Sequence, residues 1–301
     1  MPEDDRQPAA AEFKPGAVES VSVAERIRAA MADVSPTEKR VARALLSKYP
    51  TAGLESTAAL AERAGASPPT VVRFIARLGV GGYRDFQQLL REEVQQRRAS
   101  PLTQLPRLDV ESPSSDLQAV SIEVFEHEIS NTLAALPLSE LGAAVDLLAA
   151  KQHRITGIGG RFSHLLAEYL DLHLRVMRPD TRTHAPSPHR DGPLVLDASR
   201  RDVFVIFDFR RYQRDVVDLA RTLNDKGAQI LLVTDPWLSP VAEVATVVLP
   251  ARVQGPSPFD SLVSATALVE VLVAGVHAKL GASAAERIRR TDKLAGDISL
   301  P

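Results

Sequence analysis

The stretch FDFRRY, Phe207–Tyr212, follows directly on the apolar run Val203–Ile206. An acid, two arginines and a tyrosine therefore stand where a strand leaves a core. Of these, Asp208, Arg210, Arg211 and Tyr212 are types that hold charged ligands; an arginine fork takes a phosphate or carboxylate bidentately. A second group is GIGGRFS, Gly157–Ser163. Its Gly159 and Gly160 fall at a turn from strand to helix, where free backbone N–H groups suit an anion. Arg161 adds a cation there and Ser163 a hydroxyl. The third group lies in SPPTVVRFIARLG, Ser67–Gly79. At 100° per residue, Val71, Phe74, Ile75 and Leu78 share one helical face, while Pro69, Thr70, Arg73 and Arg77 fall opposite. Arginine pairs bidentately with guanine O6 and N7, and threonine bonds a base edge or a phosphate. After a glycine pair, Tyr83 and Arg84 are placed to touch a phosphate backbone; packing is the alternative for Tyr83.

Other chemistry finds less support. The seven histidines, His127, His153, His164, His173, His184, His189 and His277, show no metal-ligand spacing. His184 and His189 are expected to be solvated in a proline-rich loop. Glu168 and Glu243 are the candidate bases, each expected on a solvated helix face, and no nucleophile–base pair is visible. GIGGRFS lacks the spacing of a dinucleotide or P-loop fingerprint. No catalytic residue, metal or cofactor is expected.

The elements that must position these groups come in two styles. From Val23 to Val94 the pattern is helical throughout. Thr57–Ala64 reads as a short helix, Gly65 as a stop needing left-handed backbone, and Ser67 as the N-cap of the next helix, with prolines in its first turn. Two helices about a tight turn are what a helix-turn-helix uses to read the major groove with its second helix; the alternative is an amphipathic helix of a small bundle with solvated arginines. From His153 onward apolar strands alternate with helices: HRITGIG, DVFVIFDF, QILLVTD and TVVLPA, separated by helical runs. Wholly apolar strands alternating with helices indicate a parallel sheet covered on both faces. The expected organisation is a disordered tail at 1–20, a helical DNA-binding domain at 21–98, a proline- and serine-rich linker at 99–116, and an α/β domain at 117–301. The long apolar helix near Ser261–Leu280 is expected inside that domain or at a dimer interface.

Charge distribution agrees with this division. Between Val21 and Arg98 there are 13 Lys and Arg against 8 Asp and Glu, while the whole chain has a net charge of -2. A basic N-terminal part on an otherwise acidic chain points to a polyanion partner. The absence of cysteine excludes disulfides and thiolate metal sites. The acidic opening MPEDDRQPAAAEF has no apolar h-region, and no run approaches the roughly 18–20 apolar residues of a membrane span. A cytoplasmic protein without a membrane partner is expected.

SPTEKRVARALLSKYP, followed by TAALAERAGASPPTVVRFIARLGVGGYRDFQQLL, resembles the DNA-binding domain of the MurR/RpiR family of bacterial transcriptional regulators. The resemblance covers nearly all of Ser35–Val94. It implies that the second domain is a sugar isomerase (SIS) domain, a three-layer α/β fold that binds phosphosugars; GIGGRFS, the K-G-A at 226–228 and SPVAEVATVVL match it. The family's serine-rich turn after the second strand is absent, and FDFRRY stands in its place. Three outcomes are open. Arg210 or Arg211, with Arg161, binds a small anion such as a carboxylate; or a phosphosugar is still bound with altered geometry; or Asp208 pairs with an arginine and closes the crevice, leaving a dimerisation domain. The resemblance implies a regulator that binds a palindromic operator in double-stranded DNA as a homodimer or homotetramer and senses a small anionic effector. The alternative is an SIS-type aminosugar-phosphate isomerase or deaminase with an accessory helical domain.

Overall fold

Serines at helix starts set the architecture of the N-terminal part in the computed structural model, which describes residues 21–31, 33–97, 114–187 and 191–298. Ser22 opens α1 (Val23–Ala30) and Ser35 opens α2 (Pro36–Ser47), each in a reciprocal capping box with the glutamate three residues on. Such a box satisfies two orphan N–H groups at once. Ser56 caps α4 (Thr57–Ala64), which follows the single turn α3 (Thr51–Leu54). Gly65 ends α4 at φ 58°, the left-handed region predicted for it. Next come α5 (Pro68–Arg77) and α6 (Tyr83–Arg97). Ile27, Leu60, Phe74, Ile75, Phe86 and Leu90 are fully buried where these helices meet.

The second part begins with α7 (Ser114–Ala134) and α8 (Leu138–Ala149), broken apart at Pro137. The sheet strands are β1 (Arg154–Gly159), β2 (Thr181–His184), β3 (Asp202–Asp208), β4 (Gln229–Thr234) and β5 (Val247–Pro250). Their order is β2-β1-β3-β4-β5 and every pairing is parallel. The helices between them are α9 (His164–Met177), α10 (Asp191–Asp197) and α11 (Arg214–Asp225), with α12 (Val263–Leu280) and α13 (Ala282–Ile298) at the end. Because strand side chains alternate, β3 supplies two cores. Val203, Val205 and Phe207 join residues of α8, α9 and α12, whereas Phe204 and Ile206 join those of α10 and α11.

Three differences from the sequence reading have plain causes. Periodicity gives no element between Arg178 and Asp202, yet β2 and α10 lie there. The strand TRTH is a polar edge strand, without the apolar run that marks the buried ones. His184 is consequently not solvated; it pairs with Asp191 at 2.7 Å. Val263–Leu280 does have the length and mean hydropathy (1.5) of a membrane span; it is the core helix of the α/β domain, packed on α7, α8 and α9. The expected tail, almost all of the linker and His189 lie outside the described residues.

Candidate effector crevice and nucleic-acid interface

Three turns converge at the carboxyl ends of β1, β3 and β4, where an open parallel sheet places its ligands. In the first, Gly159 has no room for a side chain: a Cβ there would lie 2.5 Å from the backbone N of His164. Ser163 is committed to the turn itself. Its Oγ accepts from the Gly160 N–H (2.9 Å) and donates to the Phe207 carbonyl (2.7 Å), tying β1 to β3. Arg161 is exposed beside the ring of Phe162.

The second turn is FDFRRY. Arg210 folds inward onto Asp260, with Nε 3.2 Å from Oδ2 and Nη2 on Oδ1, and its guanidinium lies 4.6 Å from the centre of the Trp237 ring. Arg211 adopts φ 67° and is exposed. The Tyr212 hydroxyl donates to Asp235 Oδ1 at 2.7 Å. Asp208 is buried, and Arg210 pairs with Asp260. Asp208 accepts hydrogen bonds from the Ser239 hydroxyl and, at 3.4 Å, the Gln213 N–H. Burial pushes its carboxyl up to about 7, and the negative Asp235 adds to this, while those two hydrogen bonds oppose it.

Four members of this arrangement, Asp235, Trp237, Ser239 and Asp260, were not singled out from the sequence. The signal for the first two is Asp-Pro-Trp at the carboxyl end of an apolar strand, holding the only tryptophan of the chain, and Ser239 opens the run SPVAEVATVVL. Asp260 lies 50 residues beyond Arg210 and carries no such mark. Neither candidate base enters the crevice: Glu168 lies 3.5 Å from His164 and Glu243 pairs with Arg221 at 3.1 Å, both on surfaces. Among the described residues no cluster of three or more His, Asp or Glu could hold a metal ion.

On the helical domain, α5 buries Val71, Phe74, Ile75 and Leu78 and exposes Pro68, Pro69, Val72, Arg73, Ala76 and Arg77. Arg77 is held by Glu38 at 3.2 Å. Thr70, expected on the displayed face, is buried: its hydroxyl sits 2.9 Å from that of Ser67, which makes no capping bond, and Arg73 reaches over it. Tyr83 packs, donating its hydroxyl to the Glu55 carbonyl (3.0 Å), whereas Arg84 is exposed. Arg40, unremarked in the sequence, clamps the turn by donating to the carbonyls of Ala64 and Gly65. Val72 was missed as well, because periodicity places it between the two stripes.

Among known families, residues 21–97 match the helix-turn-helix domain of the rpiR family and residues 148–275 match the SIS domain. The chain belongs to the RpiR family of transcriptional regulators. The RpiR-type regulator HexR of Pseudomonas aeruginosa is 26% identical over 275 residues, covering 88% of this chain and 93% of its own. HexR of Escherichia coli K12 is 24% identical over 283 residues, covering 90% and 93%. Two solved structures share the fold. One is the sugar isomerase domain of an RpiR transcription factor from Sphaerobacter thermophilus (TM-score 0.56, 22% identity, 59% of this chain and 98% of that one). The other is Vibrio vulnificus NanR complexed with ManNAc-6P (TM-score 0.52, 20% identity, 92% and 99%). The rpiR match spans α1 to α6, and the SIS match spans β1 to β5, whose carboxyl ends form the crevice.

Proposed function

We propose that this chain is a cytoplasmic transcriptional regulator, not an enzyme, that reads a palindromic operator through α5 and answers to a small anion in its SIS crevice. The observation that carries the DNA-binding half is the two-faced α5: four apolar residues buried, and Pro69, Val72, Arg73 and Arg77 displayed with Arg84 nearby. Phe162, Leu165 and Leu172, each more than half exposed before and along α9, offer an apolar face to a second copy. A two-fold dimer would set half-sites about one helical turn, or a multiple of it, apart.

Selection of binding sequences from a random duplex pool, followed by footprinting, tests the DNA-binding half; no enriched sequence at moderate salt would end it. On the enriched sequence, Arg73→Ala should cost about 1–3 kcal/mol if it pairs with a base. Val72, 46% exposed at the edge of the displayed face, suits a thymine methyl. Replacing a contacted thymine by deoxyuridine should then weaken the parent by about 1 kcal/mol, near the value of one buried methylene. The same replacement should leave Val72→Ala unaffected; an equal loss in both proteins would remove Val72 from the contact.

For the effector, Arg161 and Arg211 are the exposed cations of the crevice turns, and Arg210 lies behind them with its charge met by Asp260. This supports a phosphosugar or a carboxylate taken first by Arg161 and Arg211. That NanR is complexed with ManNAc-6P makes sugar phosphates the first panel to try, and small carboxylates the second. A ligand at about 100 times its Kd adds about 2.7 kcal/mol to the native state. The thermal midpoint of the full chain should rise with the right panel, and the rise should shrink in Arg161→Ala and Arg211→Ala. A rise untouched by either substitution would move the site elsewhere.

A further inference from the structure

Between the crevice and the DNA-binding helices runs one buried loop, Asp235–Ser239, whose residues touch both. On the crevice side, Asp235 accepts from Tyr212, Trp237 lies under the Arg210 guanidinium, and Ser239 donates to Asp208. The loop is stiff: Asp235 Oδ1 also accepts from the Trp237 N–H at 3.0 Å, and Ser239 N–H donates to Thr234 Oγ1 at 3.1 Å. On the other side, Leu238 is 1% exposed and belongs to the same buried cluster as Val23, Ile27, Leu60 and Phe74 of the helical domain. The Ser22 hydroxyl, at the start of α1, donates to the Pro236 carbonyl at 3.3 Å. Leu238 achieves this at φ 61°, a backbone region that a leucine enters only when its surroundings compel it. An α/β-domain residue held in strained backbone inside the core of the other domain calls for a reason beyond local turn geometry.

We propose that Leu238 is a positioning residue, and that Asp235–Ser239 is the strut through which the state of the crevice sets the packing of the DNA-binding helices. This rests on the effector-responsive reading above and names how that site would be regulated. An anion drawn deeper than Arg161 and Arg211 competes with Asp260 for the Arg210 fork. A guanidinium that turns toward the anion leaves the Trp237 ring, and Trp237 is bonded to Leu238. Packed cores respond to such shifts by changing arrangement rather than by absorbing them. The ligand thus acquires the differential affinity for two arrangements that control of DNA binding requires.

The test needs no identified effector, because Arg210→Ala mimics withdrawal of the guanidinium from Trp237. The full-length parent, Arg210→Ala, Leu238→Ala and the double variant are compared by two readouts. One is amide hydrogen exchange over residues 57–77; the other is affinity for the sequence enriched from the random pool. Arg210→Ala should change both, the affinity by at least about 5-fold, the low end of ordinary allosteric coupling. In the Leu238→Ala background the same substitution should add nothing, while Leu238→Met should keep the parent's response. Where Leu238→Ala does not fold, Leu238→Val supplies the comparison. Equal effects of Arg210→Ala with and without the leucine, or unchanged exchange over 57–77, would overturn the strut. A pool without an enriched sequence would overturn the DNA-binding reading alone, and hydrogen exchange would still decide on the strut.

Discussion

Asp208→Asn should stabilise the protein at pH 8 by about 4 kcal/mol and leave it nearly unchanged at pH 4. In the folded chain the Asp208 carboxyl is buried and titrates at about 7 rather than 3.8. The unfolded chain releases that proton near pH 4 and the folded one keeps it to about 7, so across that window the native state binds more protons. Whatever binds more protons loses ground as pH rises. The stability associated with this group is therefore complete below about pH 4, falls between about 4 and 7, and is gone above. At 1.36 kcal/mol per pH unit the loss is about 4 kcal/mol. Asparagine imitates the neutral form and keeps its one oxygen for the Ser239 hydroxyl, giving up only the 3.4 Å bond from the Gln213 N–H to the other oxygen, so it escapes most of the loss. Urea denaturation of parent and variant at a series of pH values provides the measurement. Trp237, 3% exposed and two residues from Ser239, serves as the fluorescence probe. A difference that widens from pH 4 to 7 and then levels is the expected outcome. If Asp208→Asn instead destabilises by a constant amount at all pH values, the carboxylate is ionised and held by its donors.

This carboxyl also marks how far the sequence could be read. The strand Val203–Asp208 was legible because a wholly apolar run has only one place to go, the middle of a covered sheet. The stripe Val71, Phe74, Ile75 and Leu78 was legible for the same reason, and Gly65 because only glycine turns left-handed there without strain. What the turn FDFRRY does was not legible, since its partners come from elsewhere in the chain. Arg210 is neutralised by Asp260 and stacked on Trp237, and Asp208 is bonded by Ser239; none of these pairings leaves a periodic trace. The edge strand Thr181–His184 escaped for the opposite reason. Half of its surroundings are solvent, so its residues had no need to be apolar. Thr70 shows the limit of a helical wheel: an angle of 100° per residue places it on the displayed face, but Ser67 and Arg73 fold across it in the first turn.

The second large effect is expected at the other contact between the two domains. Arg252→Met should cost about 3 kcal/mol, and adding Glu25→Gln and Glu128→Gln should restore most of it. Arg252 leaves the end of β5 and places Nη2 3.1 Å from Glu25 Oε1 on α1 and Nη1 3.7 Å from Glu128 Oε1 on α7. All three side chains are about nine-tenths buried or more. Removing the cation takes from two buried carboxylates the guanidinium they share, a change for which losses of about 3–5 kcal/mol are ordinary. The lower end applies here because a cavity of about 260 Å³ adjoins the site, lined by Glu25, Arg28, Thr132, Pro236 and Arg252. Water admitted there can solvate part of the charge. The glutamines of the triple variant keep the acceptors that the backbone needs: position 25 for the Ser22 N–H, position 128 for that of Gln254. They remove only the charge, and neutral replacement of a whole buried ion network is commonly neutral or stabilising. The urea midpoint of the Trp237 signal is the readout, because Pro236, next to the indole, lines the cavity and accepts from Ser22. Recovery in the triple variant would show that charge, not packing, makes the arginine necessary. A triple variant as unstable as Arg252→Met alone would show that the guanidinium stem is what fills the joint between the domains.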